Sequence, residues 1–316
     1  MKIIVTGGAG FIASHIVDKY ISLGHKVIVI DDLSTGFKKN VNKKAKFYKA
    51  DIRNLQVIEK IFKKENPNIV NHHAAIAEVV KSLKNPVPTM DVNVLGTVNV
   101  LINFSKYGAS TRRKKFIFSS SGATYGGPKK IPADENTPIA PLSPYGLSKY
   151  LGEICIQFYA KTYGFDYLIF RYANIYGERQ NPKGEAGVIS IFTELIKENR
   201  QPTIFGDGTK ARDYVYIQDI ARANVLGLRN GKNEIINLGS GKKTTDQMIF
   251  DNIARSMNYK EKPIYAPFRK GEVHRIALTG AKAKKIIGWQ PKIELSQGIQ
   301  KTVEYIVLGN RNSNKN

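Results

Sequence analysis

The sequence predicts an α/β protein: a doubly wound parallel sheet with a smaller C-terminal substrate-binding lobe. Three observations carry this. Short apolar runs alternate in strict turn with amphipathic helical patterns over the first half of the chain, an order that a parallel sheet with crossover helices satisfies. A glycine-rich turn joins the first run to the first helical pattern, and a pair of aspartates closes the second run.

The first strand, residues 2–6, leads into Gly7-Gly8-Ala9-Gly10-Phe11-Ile12-Ala13 and a helix over 11–23. In Gly8-x-Gly10-x-x-Ala13 the glycines let the amides of a helix start approach a pyrophosphate, the fingerprint of Rossmann-type dinucleotide sites. The second strand, 26–30, ends in Asp31-Asp32, where a carboxylate can accept both hydroxyls of an adenosine ribose. Asp31 would repel a 2′-phosphate, so the expected cofactor is NAD rather than NADP. Strands at 45–49 and 68–72 bracket a helix over 55–65. A helix over 88–107 precedes the strand at 115–119, and a helix over 144–163 precedes the strand at 166–171. That last helix opens on Ser143, a good N-cap, and Pro144, suited to the first helical position. Tyr145 and Lys149 then stand four positions apart on one face. A nearby cation favours phenolate over phenol, so Tyr145 is expected below the ordinary tyrosine pKa of about 10, as a general base for a sugar or alcohol hydroxyl.

After Arg171 the texture turns to Gly-, Pro- and Asn-rich connections such as Gly177–Gly184 and Phe205-Gly-Asp-Gly208. The reading is a Rossmann domain over 1–172, to which the chain returns near 214–238, a substrate lobe from 173–213 and 239–309, and a fraying polar tail over 310–316. At 316 residues and 42% hydrophobic the chain can bury a large core. No apolar run approaches the roughly 20 residues of a membrane span, and the N-terminus enters a core strand directly, so a cytoplasmic protein is expected. Cys155 is the only cysteine; it reads as helix packing, and no metal site is expected. The net charge of +23 raises nucleic acid as a partner, with Arg112–Lys115 and Lys43-Lys44 as the clusters to hold it. The lysines are scattered rather than gathered in a stripe, which favours solvated surface and a field that attracts an anionic cofactor and substrate. A catalytically idle Rossmann module that contacts nucleic acid is the reading from another class; such proteins commonly lose the Tyr or Lys, and both are here.

Further motifs complete a pattern: Asp51-Ile52, His73-Ala-Ala75, Asn93–Thr97, Ser119-Ser-Ser121 with Tyr125-Gly126, Arg171–Asn174, Arg212–Tyr216, Asn237–Gly239, Arg269–Glu272 and Gly288–Pro291. With Thr6–Ile12, Asp31–Gly36 and the Tyr145/Lys149 pair, the chain resembles the extended short-chain dehydrogenases/reductases from residue 2 to about 300, and within them the nucleotide-sugar 4-epimerases typified by UDP-glucose 4-epimerase. The resemblance implies that NAD is held by Gly7, Gly10, Phe11, Ile12, Asp31, Asp32, Ser34, Thr35, Gly36, Asp51, Ile52, Ala74, Ala75, Asn93, Tyr145, Lys149 and Tyr172. It implies that Tyr145 is the base, Lys149 its activator and a ribose contact, and Ser121 the hydroxyl that bonds the reacting sugar oxygen. By the same resemblance Asn174, Gly187, Val188, Phe205, Arg212, Arg269 and Glu272 bind the uridine diphosphate, and Ile276 lies beside the sugar 2-substituent. It also implies a homodimer on the 88–107 and 144–163 helices, whose apolar Ile154, Ile156 and Phe158 suggest a second buried face.

The activity so implied is 4-epimerisation of UDP-glucose and UDP-galactose, extending to N-acetylated forms, by transient oxidation at C4. The related UDP-glucuronate 4-epimerases and decarboxylases and the 4,6-dehydratases share the Tyr-Lys pair. Dehydratases normally carry Thr-Asp-Glu at the position of Ser121-Gly122-Ala123, and decarboxylases a glutamate. With no carboxylate there, simple epimerisation is the favoured reading. Ala13 replaces a frequent third glycine and Ala173 a frequent Phe before Asn174.

Overall fold

A computed structural model describes residues 1–109, 114–182, 187–268 and 273–309. Strands β1 (Lys2–Thr6), β2 (Lys26–Asp31), β3 (Lys46–Lys49), β4 (Ile69–His72), β5 (Lys115–Ser121) and β6 (Asp166–Tyr172) form one parallel sheet with the later strand Glu234–Leu238, in the order β3-β2-β1-β4-β5-β6-(234–238). The central strands β1, β2, β5 and β6 carry apolar runs because helices cover both faces, whereas the edge strand β3, Lys46-Phe-Tyr-Lys49, is exposed at both ends. Alternate residues sort accordingly. Ile3, Val5, Val29, Ile69, Ile117 and Phe170 face one core, and Ile4, Ile28, Ile30, Val70, Phe116 and Ile169 face the other.

Helices α1 (Phe11–Ser22), α2 (Leu55–Glu65), α3 (Val79–Lys84), α4 (Pro86–Met90), α5 (Gly96–Tyr107) and α6 (Pro144–Tyr163) link these strands. The helix expected over 88–107 is interrupted: a π-helical turn over Asp91–Leu95 separates α4 from α5, a device that widens the helix locally and redirects a side chain. Ser143 caps α6 by accepting from the Gly146 amide at 3.1 Å, and Pro144 takes the first position, as the sequence predicts. Ile156 of α6 is fully buried in the core, so it does not belong to an outer apolar face; Ile154 and Phe158 are 44% and 62% exposed. Cys155 packs at the edge of the same core.

Beyond β6, helices α7 (Val188–Lys197), α9 (Asp246–Ser256) and α11 (Leu295–Gly309) pack together, while α8 (Ile217–Gly227) lies against α1 and α10 (Ala281–Ile287) against the strand 234–238. Short paired strands, 174–176 with 214–216, 203–205 with 264–266 and 211–212 with 244–245, connect the two halves. The return strand is thus 234–238 alone; Tyr214–Tyr216 pairs with Asn174–Tyr176 outside the main sheet. No helix among the described residues is long and apolar enough to cross a membrane.

Candidate active site

Strand order reverses between β1 and β4, and a crevice opens at the carboxyl ends of the strands at such a point. Here it is a cleft of about 1530 Å³ that runs from the glycine turn across β5 and α6 to the second lobe. Gly7 sits at φ +69°, a left-handed conformation, and a Cβ on it would lie 2.7 Å from the Ala74 amide nitrogen. Gly10 caps α1 with backbone alone: no side chain caps that helix, and a Cβ on Gly10 would meet only the Gly7 carbonyl at 3.1 Å. The first-turn amides of Phe11 and Ile12 therefore stand at an open, positively polarised helix end.

Asp31 accepts from the Ala9 amide at 2.9 Å and the Leu33 amide at 2.8 Å. Burial raises its pKa, and these two amides oppose the rise. Asp32 organises the next turn, accepting from the Ser34 amide and hydroxyl at 2.9 and 2.6 Å, and Ser34, Thr35 and Gly36 continue the cleft wall. At the far rim, the side-chain bonds of Arg53 hold the Asp51 carboxyl below its ordinary pKa, with Ile52 beside it. An uncapped helix end at a space-demanding glycine, followed by carboxylates closing β2, fits a pyrophosphate with its adenosine ribose; the residues present are those a dinucleotide needs.

Ala74, Ala75 and Tyr172 line the cleft. Asn93 does not. It is buried behind the wall, accepting from the Ile76 amide at 2.8 Å and donating to the Ile76 carbonyl and Ser148 hydroxyl at 2.9 Å. The Asn93 carbonyl accepts from the Thr97 hydroxyl at 2.6 Å, which leaves Thr97 Oγ1 to accept from His72 Nε2 at 2.9 Å. His72 Nδ1 then accepts from the Thr6 hydroxyl at 2.6 Å, and Thr6 Oγ1 accepts from the amides of His73 and Ala74, each at 3.2 Å. A buried wire thus ties the π turn to the loop that meets the glycine turn, and burial keeps His72 well below the usual histidine range. The sequence pattern gave no hint of this wire, because its members come from three distant segments.

Ser121, Tyr145 and Lys149 converge at the centre of the cleft. Lys149 is 4% exposed; its Nζ donates to the Ser119 carbonyl at 2.8 Å, and burial lowers its pKa to about 7. The expectation of a depressed Tyr145 is reversed. Burial raises the phenol above its ordinary pKa, and the group that pulls it back is the Ser121 hydroxyl rather than Lys149. Desolvation of the would-be phenolate outweighs an ammonium that is itself committed to a carbonyl. Ser121 Oγ also accepts from the Ala123 amide at 3.1 Å, which aims the hydroxyl.

In the second lobe Asn174, Gly187, Val188, Phe205, Arg212 and Ile276 all line the cleft. Arg212 donates to the carbonyls of Ala211 and His274 at 3.0 and 3.2 Å. Ile276 and Ala173 both pack against a small cluster of Tyr125, Ala133 and Leu278. Arg269 and Glu272 lie outside the described residues. Three lining or supporting residues were given no site role by the sequence reading: Gln180, whose Oε1 is buried with no hydrogen-bond partner among the described residues; His73, held to about 3 by burial; and Glu153, one turn past Lys149. His73 stands in the His73-Ala-Ala75 motif and Glu153 has helical spacing from Lys149, whereas Gln180 had no local signal.

A family model described as the NAD dependent epimerase/dehydratase family matches residues 3–239. A protein of Methanocaldococcus jannaschii, provisionally named a UDP-glucose 4-epimerase, is 51% identical over 98% of this chain and 99% of its own length. The crystal structure of a UDP-glucose 4-epimerase from Thermotoga maritima with UDP-glucose superposes with a TM-score of 0.95 at 44% identity, over 98% of this chain and 100% of that one. A UDP-N-acetylglucosamine 4-epimerase from Methanobrevibacter ruminantium, in complex with UDP-N-acetylmuramic acid, gives a TM-score of 0.91 at 32% identity, over 98% of each chain.

Proposed function

We propose, from the premise that this chain belongs to the NAD dependent epimerase/dehydratase family, that it is an NAD-dependent 4-epimerase of UDP-hexoses and that it works as a homodimer. The observation that carries the reading is the turn after β5. Ser121 offers a hydroxyl beside Tyr145, while at Gly122 a Cβ would already lie 3.1 Å from Leu278 and 3.4 Å from the Tyr172 carbonyl. The turn offers no carboxylate of the kind that removes water in dehydratases, and a side chain at Gly122 would require Leu278 to give by a few tenths of an ångström.

Bound NAD would supply the hydride acceptor and donor for sugar C4, and in its oxidised form a positive charge. The chain's own residues do the rest. Ser121 would orient the C4 hydroxyl, and Tyr145 would take its proton, directly or across the Ser121 hydroxyl, once it is a phenolate; burial opposes that form, and the Ser121 hydrogen bond together with the positive charge of Lys149 and of the oxidised cofactor would favour it. Lys149 holds positive charge at the site while fixed on the Ser119 carbonyl. Asn174, Val188, Phe205 and Arg212 anchor the uridine diphosphate, so that binding energy is spent on the nucleotide and the 4-keto ring is free to turn and accept hydride on its other face. For the dimer, the support is the exposed apolar face of α6 carrying Leu147, Ile154 and Phe158.

The test is incubation of the purified protein with a panel of UDP-sugars, following the epimer ratio and absorbance near 340 nm. Interconversion of UDP-glucose and UDP-galactose with acid-extractable NAD in the protein is expected. Dehydration or decarboxylation of the sugar, or NADP as the extracted nucleotide, would overturn the reading.

A further inference from the structure

Glu153 is fully buried one helical turn beyond Lys149 on α6. Its carboxylate is immobilised: Arg171 of β6 donates from Nε to Oε1 at 2.9 Å and from Nη2 to Oε2 at 2.6 Å, and the Ser120 hydroxyl donates to Oε1 at 2.5 Å. The guanidinium also donates from Nη1 to the Tyr125 hydroxyl at 2.9 Å, which donates to Asn237 Oδ1 at 2.8 Å. The ion pair therefore has its negative end on the helix of Lys149 and its positive end across on β6. Three consecutive serines of β5 share the work: the Ser119 carbonyl accepts from Lys149, the Ser120 hydroxyl fastens Glu153, and the Ser121 hydroxyl aims into the cleft. Apolar side chains of similar volume often stabilise a core as well as a buried ion pair does, so stability alone gives a weak account of this one.

We propose that Glu153 is a positioning residue that acts through Lys149: its fixed carboxylate supplies the negative field that keeps the Lys149 side chain an ammonium docked on Ser119. The catalytic consequence rests on the epimerase reading, whereas the charge state of Lys149 is measurable without it. Burial drives Lys149 toward neutrality, and Glu153 is the group that opposes this. The other charged and titratable groups around α6 are unsuited to the task. His72 and His73 at the end of β4 are kept neutral by burial, Tyr145 is a phenol, and Arg171 is a cation. Tyr125 is bonded to Arg171, Glu78 of the α3 cap pairs with Lys81, and Asp91 of the π turn pairs with Arg53. Asn93 and Thr97 carry no charge.

The experiment is a pH titration of the NAD-bound protein carrying ¹³C-enriched lysine, followed by NMR, with the Lys149 Cε resonance assigned by its loss in Lys149→Arg. That resonance shifts when the ammonium gives up its proton, so the midpoint reports the proton on that residue without any reagent having to reach it. In Glu153→Gln the midpoint is expected to move acidward by at least about one pH unit, the effect of losing a neighbouring opposite charge. Glu153→Asp, which keeps the charge, is expected to retain most of the wild-type midpoint. The alkaline limb of kcat/KM should move with it. Because Glu153→Gln strands Arg171, the double variant Glu153→Gln with Arg171→Gln is measured in parallel and decides the matter if the single variant does not fold. An unmoved midpoint, an equal shift in Glu153→Asp, or a pH profile lowered uniformly without displacement overturns the proposal. A moved midpoint in a protein that epimerises no UDP-sugar leaves this inference standing and sinks the functional reading.

Discussion

Replacing Gly7 by alanine should damage the fold, whereas the same change at Gly10 should damage cofactor binding. At Gly7 the new Cβ would lie 2.7 Å from the Ala74 nitrogen and 2.9 Å from both Ala74 Cα and the His73 carbonyl carbon, against an optimum carbon separation of about 3.5–4.0 Å. Those are backbone atoms fastened to Thr6 and to the sheet, so no rotamer change relieves the overlap. The left-handed conformation adds about 1–2 kcal/mol for any residue with a Cβ, and overpacking of this kind about 1–3 kcal/mol. The sum, about 2–5 kcal/mol, corresponds to a fall in Tm of roughly 3–8 °C for a chain of this size. Gly10 adopts φ −77° and its Cβ would meet only the Gly7 carbonyl at 3.1 Å, so Tm should stay within about 2 °C. Its methyl would instead stand at the open helix end and weaken NAD binding by at least about tenfold, or about 1.4 kcal/mol. Differential scanning fluorimetry and titration with NAD separate the two outcomes. Unchanged stability in Gly7→Ala, or equal NAD affinity in Gly10→Ala and the parent, would refute the reasoning.

Three further outcomes are expected. Tyr145→Phe keeps shape and packing but deletes the proposed base, so epimerisation should fall by about 10² to 10⁴ with NAD still bound, and Ser121→Ala should cost less; near-normal turnover of Tyr145→Phe would remove it from the mechanism. Ile276 borders the cleft and packs on the Tyr125, Ala133 and Leu278 cluster, so Ile276→Tyr should suppress UDP-N-acetylglucosamine while sparing UDP-galactose, by the roughly 1–3 kcal/mol that pocket filling supplies. Equal loss of both activities would show that Ile276 does not set pocket size. Light scattering should give a dimer at micromolar concentration, and Phe158→Glu with Ile154→Lys on the exposed face of α6 should give a monomer; a monomeric parent protein counts against the proposed assembly.

Much of the site was legible because its chemistry is local. The glycine turn, the aspartates closing β2 and the Ser143–Lys149 helix start each sit within a few residues, where helix geometry, glycine conformation and capping act on sequence neighbours. What escaped is nonlocal. Asn93 carries a motif, yet it lies in the π turn behind the wall, where the Thr97–His72–Thr6 wire uses its backbone carbonyl to brace the His73–Ala74 loop against the glycine turn.

The sequence by itself determined the order of strands and helices over the first half of the chain and the position of the glycine turn, because periodicity and turn residues act over short distances. Only the tertiary structure decided the protonation chemistry. A Tyr and a Lys four residues apart read as a cation lowering a phenol, but burial raises Tyr145 and lowers Lys149, the Ser119 carbonyl takes the ammonium, and Glu153 with Arg171 sets the field around it. Desolvation depends on every atom packed around a group, and those atoms come from β4, β5, β6 and α6 together, so no local pattern carries the sign of the shift.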